Sequence, residues 1–249
     1  MPQHWVGDGF LVRPVFGDVA FSKNISPFLM FDYGEPRKLS PDPKGKRKGV
    51  GQHPHRGFET VTIAWQGEVE HRDSLGNHDI ITQGGVQWMT AGRGIIHEEY
   101  ISERVTKEGG MFEMAQLWVN LPAANKMTAP KYQPITINEI PTINLNDDIG
   151  SIRVISGNFE GTKGPAQTFT PITLMEITLK KNKPFDFLME KGFNTIIFSK
   201  KGSIKICNEK TINQAQVALL SIENDRIILE GLDDTNTILI LAGLPIGSY

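Results

Sequence analysis

The chain carries a single cysteine, Cys207, among 249 residues, which excludes an intramolecular disulfide and with it the usual staple of small secreted domains. A reducing compartment, the cytoplasm, is the expected location. No apolar run approaches the roughly 20 residues needed to span a bilayer, and residues 1–10 carry His4, Asp8 and other polar groups where a secretion signal would place a basic end and an apolar stretch. No membrane partner and no cleaved leader are expected. Charge of one sign is also missing: 26 Lys and Arg stand against 28 Asp and Glu, so no nucleic-acid partner held through phosphate contacts is expected. Histidine is scarce and unevenly placed. All six (His4, His53, His55, His71, His78 and His97) lie in the first hundred residues.

What is present suits a large folded core. Hydrophobic residues make up 39% of the chain, enough for one large or two ordinary domains. Val61, Ile63 and Trp65 alternate with Thr60, Thr62 and Ala64, the period of two of a strand. Turns at Gln66-Gly67, Leu75-Gly76-Asn77 and Gly84-Gly85 separate further strand-sized runs, the signature of an antiparallel barrel or sandwich. The residues up to Gly34 read as two or three short strands, and 112–121 as another core strand. Between them 36–51, rich in Pro, Gly and Lys, reads as a solvated loop.

Four prolines between Pro122 and Pro141 break the rhythm and mark a connector, which suggests domains at 1–130 and 131–249. Beyond it strands are expected over 152–156, 173–179, 195–199, 203–207, 216–220, 226–229 and 237–241. The second domain looks like one of the same type, but without histidine it has no imidazole ligands for a metal.

The chemistry gathers between His53 and Glu99. If one unbroken strand runs from HPH into FETVTIAW, then His53, His55 and Glu59 project to the same face as Val61 and Ile63. In AGRGIIHEEYI a glycine-rich turn delivers His97 and Glu99 to one face and Glu98 to the other. Two such pairs on facing strands can set three imidazoles and one carboxylate around a single ion. On spacing alone, Glu59 and Glu99 both remain candidates for the carboxylate.

H-x-H with a glutamate four residues on, then a glycine-rich turn and a further histidine, resembles the two metal motifs of the cupin superfamily. The segments HPHRGFETVTI, EHRDSLGNHDIITQGGVQWMTAGRGIIHEE, QLWVNLPAANKM and PKYQ are similar, more narrowly, to the pirin family, with a fainter likeness in SGNFEGTKGPAQTFTPITLMEI. That resemblance implies an all-β bicupin of two antiparallel jelly-roll barrels with one metal, usually iron, in the amino-terminal barrel. It implies His53, His55, His97 and Glu99 as ligands, leaving Glu59 to orient an imidazole. It also implies quercetin 2,3-dioxygenase activity, as associated with bacterial members, or a redox-responsive cofactor role through protein partners, as for the mammalian namesake. Many pirins continue past a Gly-x-Pro-Ile segment like the one in LAGLPIGSY, so their carboxy-terminal contacts are expected to be missing, and Glu98 sets a second carboxylate beside the expected ligand.

Around this site, Glu98 is expected to point away, His71 and Asp73 either to line the cavity mouth or to bond across a hairpin, and His78 to be solvated. Arg56 and Gln116 read as a salt-bridged side chain and a satisfied strand amide, with substrate contact as the alternative. Trp65, Trp88 and Trp118 read as barrel packing, and Cys207 as a buried apolar residue.

Three imidazoles and a carboxylate, with no thiolate, suit Fe, Mn, Ni, Cu or Zn. One carboxylate leaves a divalent ion with net positive charge, which favours an anionic ligand such as a flavonol hydroxyl that has lost its proton. Glu99 is the expected base. The alternatives are a metal-bearing regulatory module with a protein partner, or a cupin enzyme using the ion as a Lewis acid alone.

Overall fold

A computed structural model describes residues 2–17, 22–223 and 225–247. Nearly all regular structure is strand, arranged in two compact units. The first unit holds the described residues up to 17 and Phe28–Glu139. Its strands are β1 (His4–Val6), β2 (Phe10–Phe16), β3 (Phe28–Leu39), β4 (Gly49–His55), β5 (Phe58–Gln66), β6 (Val69–Asp73), β7 (His78–Ile81), β8 (Val86–Thr90), β9 (Ile95–Ile101), β10 (Gly110–Asn120) and β11 (Lys131–Ile135). They form a seven-stranded sheet, β1-β2-β3-β10-β5-β8-β11, and a four-stranded sheet, β4-β9-β6-β7. All their pairings are antiparallel.

The chain passes repeatedly from one sheet to the other, the habit of a jelly roll. Phe10, Val12, Ala64 and Met114 from the large sheet pack with Val69, Ile81 and Ile101 from the small one. Each large side chain so buried contributes about 1.5–3 kcal/mol. At Gly49 an added Cβ would lie 2.1 Å from the Glu99 carbonyl oxygen and 2.6 Å from Tyr100 Cα, so β4 and β9 approach where only a hydrogen fits. That contact sets the strand of His53 against the strand of Glu99.

Three expectations change here. The segment 36–51 is not all loop: β3 runs on to Leu39 and β4 begins at Gly49. Pro36 is tolerated because the pairing of β3 with β10 slips between Gly34↔Met114 and Arg37↔Phe112, and a bulge needs no amide hydrogen from proline. Second, no single strand joins HPH to FETVTIAW. β4 and β5 belong to different sheets, parted at Arg56 and Gly57, whose φ is 79°, and counting alternation across that corner fails. Third, β11 follows the expected boundary yet pairs with β8, so the first unit extends to Glu139.

The second unit comprises 22–27 and Ile140–Gly247. It contains α1 (Ser22–Ile25), β12 (Thr142–Asn144), β13 (Gly150–Ser156), β14 (Asn158–Phe159), β15 (Thr162–Lys163), β16 (Ile172–Leu179), β17 (Pro184–Leu188), β18 (Asn194–Lys201), β19 (Ile204–Ile206), β20 (Lys210–Ile212), β21 (Val217–Leu219), β22 (Arg226–Gly231) and β23 (Asn236–Gly243). Sheets β12-β13-β16-β23-β18-β21 and β17-β22-β19-β20 enclose Ile152, Val154, Ile177, Phe185, Phe187 and Ile238, with Cys207 partly buried against that core. Asn194 Nδ2 donates to the Ser26 carbonyl at 2.6 Å and ties α1 to this unit. Strand β17 was missed in the sequence although PFDFL alternates, with Phe185 and Phe187 buried; its proline sits on an edge strand, where it is tolerated. Among the described residues no helix is long and apolar enough to cross a membrane.

Candidate metal centre

Strands β4 and β9 lie side by side with His53 opposite His97. Ring centroids are 4.4 Å apart for His53 and His97, and 4.8 Å for His55 with each of the other two. One ligating atom from each of the three lies within 4.8 Å of the others, and a second such grouping joins Glu99 to His71 and His97. His97 is common to both.

The donor set fits a metal ion. His97 is 1% exposed, and its Nε2 is buried with no hydrogen-bond partner among the described residues, a costly state unless something binds the lone pair. His53 Nδ1 lies 2.8 Å from the Gly51 carbonyl oxygen; donating there leaves Nε2 free to coordinate. Burial, reinforced by repulsion from His97 and His53, lowers the pKa of His55 to about 4 against the opposing pull of Glu99. His97 falls to about 3 through burial and through His53 and His71, with Asp73 opposing. Both imidazoles are therefore neutral at pH 7, the form that coordinates a metal.

Glu99 is held from the large sheet. Thr62 Oγ1 lies 3.1 Å from Glu99 Oε1, and Gln87 Nε2 donates to the same oxygen. Gln87 Nε2 also reaches Thr62 Oγ1 at 2.9 Å, and Thr62 Oγ1 stands 2.9 Å from Gln116 Oε1. The Tyr132 hydroxyl lies 3.1 Å from both Gln87 Oε1 and Asp79 Oδ2. These contacts position the carboxylate and leave it at the wall of a cavity of about 300 Å³. Phe10, Val12, Met30, Met114 and Trp118 supply apolar wall, and His53, His55, Glu99, Gln116 and Asp32 the polar points. Burial raises the Asp32 carboxyl above its ordinary range, with His4 opposing.

Glu59 does not orient an imidazole. It accepts a 2.7 Å hydrogen bond from Thr90 Oγ1 and, by alternation along β5, faces away from Thr62 and the cavity. Burial lifts its pKa to about 7, with the Thr90 bond opposing. Between the unperturbed value of about 4.5 and 7, the folded chain holds a proton the unfolded chain has released, so stability falls as pH rises through this window. Glu59→Gln removes that penalty. Denaturant unfolding is expected to find the variant about 1–3 kcal/mol more stable than the parent at pH 8, and close to it near pH 4; parallel pH profiles would contradict this.

His71 is 0% exposed, with Nε2 2.9 Å from Asp73 Oδ2, so it is interior and not at a cavity mouth. Burial alone would raise Asp73, but hydrogen bonds from His71, Asn77 and the amides of Leu75 and Asn77 hold it below its usual range. His78 is half-exposed and meets Glu70 Oε1 at 2.9 Å. Among the described residues Arg56 has no ion-pair partner; its Nη2 contacts Met127 Sδ at 3.3 Å. Trp118 lies edge-on to His55 with centroids 5.4 Å apart, so it packs the cavity wall. Thr62, Gln87 and Asp32 were not singled out as site residues in the sequence. Asp32 alone left a readable trace, an acid inside the apolar run FLMFDY.

The family model of pirin matches residues 9–119, and that of the pirin C-terminal cupin domain matches 174–249. A provisionally named quercetin 2,3-dioxygenase of Pseudomonas aeruginosa is 46% identical over 98% of this chain and 84% of its own. Pirin-like protein 2 of Arabidopsis thaliana is 34% identical over 97% of this chain and 72% of its own. A crystal structure of quercetin 2,3-dioxygenase from Acinetobacter baumannii superimposes with a TM-score of 0.95 at 42% identity, covering 100% of this chain and 85% of that one. With the cupin architecture of both units and matches at this level along nearly its whole length, the chain belongs to the pirin family.

Proposed function

We propose that this pirin holds one divalent transition metal, iron(II) in the first instance, on His53, His55, His97 and Glu99, and opens the ring of flavonols of the quercetin class with dioxygen, releasing carbon monoxide. The observation that carries the reading is the buried, partnerless Nε2 of His97 beside two further imidazoles at the wall of a largely apolar cavity. When bound, the ion supplies a positive centre that acidifies a flavonol hydroxyl and assists its reaction with dioxygen.

The chain's own groups do the rest. Glu99 takes the hydroxyl proton, its carboxylate held in place by Thr62 and Gln87. Phe10, Val12, Met114 and Trp118 receive the flat aromatic rings and exclude bulk water, and Gln116 and Asp32 offer hydrogen bonds to ring hydroxyls. At about 300 Å³ the space is at the small end for drug-sized ligands, so compact planar phenols are the class that fits.

The test is anaerobic addition of quercetin to iron-loaded protein, followed by oxygen and detection of carbon monoxide. Ring opening with carbon monoxide in step with oxygen uptake supports the proposal. Absence of ring opening over a panel of phenols, with each of iron, manganese, nickel, copper and zinc loaded in turn, would replace it with a metal-bearing regulatory module acting through a protein partner.

A further inference from the structure

We infer that Asp73 and His71 act as positioning residues that fix the proton of His97 on Nδ1 and so present its Nε2 lone pair to the ion. This rests on the metal-site reading above and concerns residues outside the expected ligand set. Strand β6 lies beside β9, with His71 opposite Glu99 and Asp73 opposite His97, so H-x-D on one strand backs H-x-E on the next.

Asp73 sits at the Leu75-Gly76-Asn77 turn, where Oδ1 accepts from the amides of Leu75 at 2.9 Å and Asn77 at 3.1 Å, and Oδ2 accepts from Asn77 Nδ2 at 2.9 Å. An ionised carboxylate can only accept. His71 Nε2, 2.9 Å from Asp73 Oδ2, must therefore carry a proton. A neutral imidazole has one proton to place, so His71 Nδ1 is left as an acceptor. That atom faces His97 Nδ1 at 3.4 Å, longer than the usual hydrogen bond of about 2.7–3.2 Å but close enough for the two nitrogens to interact.

Two bare lone pairs cannot face each other favourably, so the proton of His97 goes to Nδ1. Its Nε2 is then unprotonated, the nitrogen that is buried without a partner. The opposite arrangement has an imidazolium at His71 donating to His97 and a proton on His97 Nε2. It would bury a donor with nothing to receive it and block coordination through that atom. Tyr132 stacks on His71 with centroids 4.4 Å apart and planes 16° from parallel, which holds the ring in the plane the relay needs. It also accounts for His71 beside the centre without being a ligand: both of its nitrogens are engaged.

The first test needs no metal. Long-range proton–nitrogen spectra of the metal-free full chain, with the His97 signals assigned by their loss in His97→Ala, are expected to show Nδ1 protonated and Nε2 bare. The reverse assignment overturns the inference. The second test titrates nickel(II) by calorimetry into His71→Phe, which keeps a ring against Tyr132 and removes the acceptor, and into His71→Gln, whose amide oxygen can still accept.

His71→Phe is expected to lose about 10–100-fold in affinity, and His71→Gln to recover most of it. Unchanged affinity in His71→Phe, or no recovery in His71→Gln, overturns the inference. If His71→Phe does not fold, the spectrum of the unsubstituted chain still decides the tautomer. A parent chain that takes up no nickel yet shows His97 protonated on Nδ1 keeps the relay and removes the metal reading instead.

Discussion

His97→Ala is expected to abolish metal uptake, with affinity lower by about 100-fold or more, beyond what loss of an outer partner costs. His97 belongs to both groupings of ligating atoms, so neither survives its removal. The metal-free variant should nonetheless fold. The substitution takes away a buried nitrogen that has no hydrogen-bond partner, which offsets part of the cost of the cavity it leaves. Metal content per chain after reconstitution, read beside the unfolding curve of the metal-free protein, checks both halves. Normal metal content in a folded variant would contradict the assignment.

Glu99→Gln is expected to lower turnover per bound metal by about 10²–10⁴-fold, the scale of a lost general base. Metal would still bind, more weakly, because one negative charge is gone. The shape is kept but the hydrogen bonding is not. Glu99 Oε1 accepts from Gln87 Nε2 and faces Thr62 Oγ1, and an amide nitrogen in that place would set donor against donor. The measurement is carbon monoxide formed per metal ion at saturating flavonol. Full activity in metal-loaded Glu99→Gln removes the carboxylate from its proposed role as base.

The residue pattern made the candidate centre readable for a simple reason. Imidazoles are few here, and H-x-H and H-x-E each place two candidate ligands on one face of one strand, which needs no knowledge of tertiary structure. What needs tertiary structure was lost. Both faces of β5 are buried, so its alternation does not say which face looks into the cavity. The side that reaches Glu99 is that of Thr62, not that of Val61 and Ile63, and the corner at Arg56 and Gly57 hides this from any count along the chain.

Gln87 reads as one polar residue in VQWMT, and its bond to Glu99 exists only because β8 lies beside β5 and across from β9. The bulge at Pro36 likewise becomes visible only once β10 is paired with β3. The end of the first unit was misplaced because the Pro-rich connector contains β11, and a strand of five residues with a proline in it carries little signal until its partner is known.

Anomalous diffraction from crystals of the metal-reconstituted chain, collected at the absorption edge of the metal supplied, reaches the core of this account. The expected result is a single strong peak about 2.0–2.2 Å from a nitrogen of each of His53, His55 and His97 and from an oxygen of Glu99. A peak bounded by His71, His97 and Glu99 with His53 and His55 turned aside, or no peak in the amino-terminal unit, would contradict it.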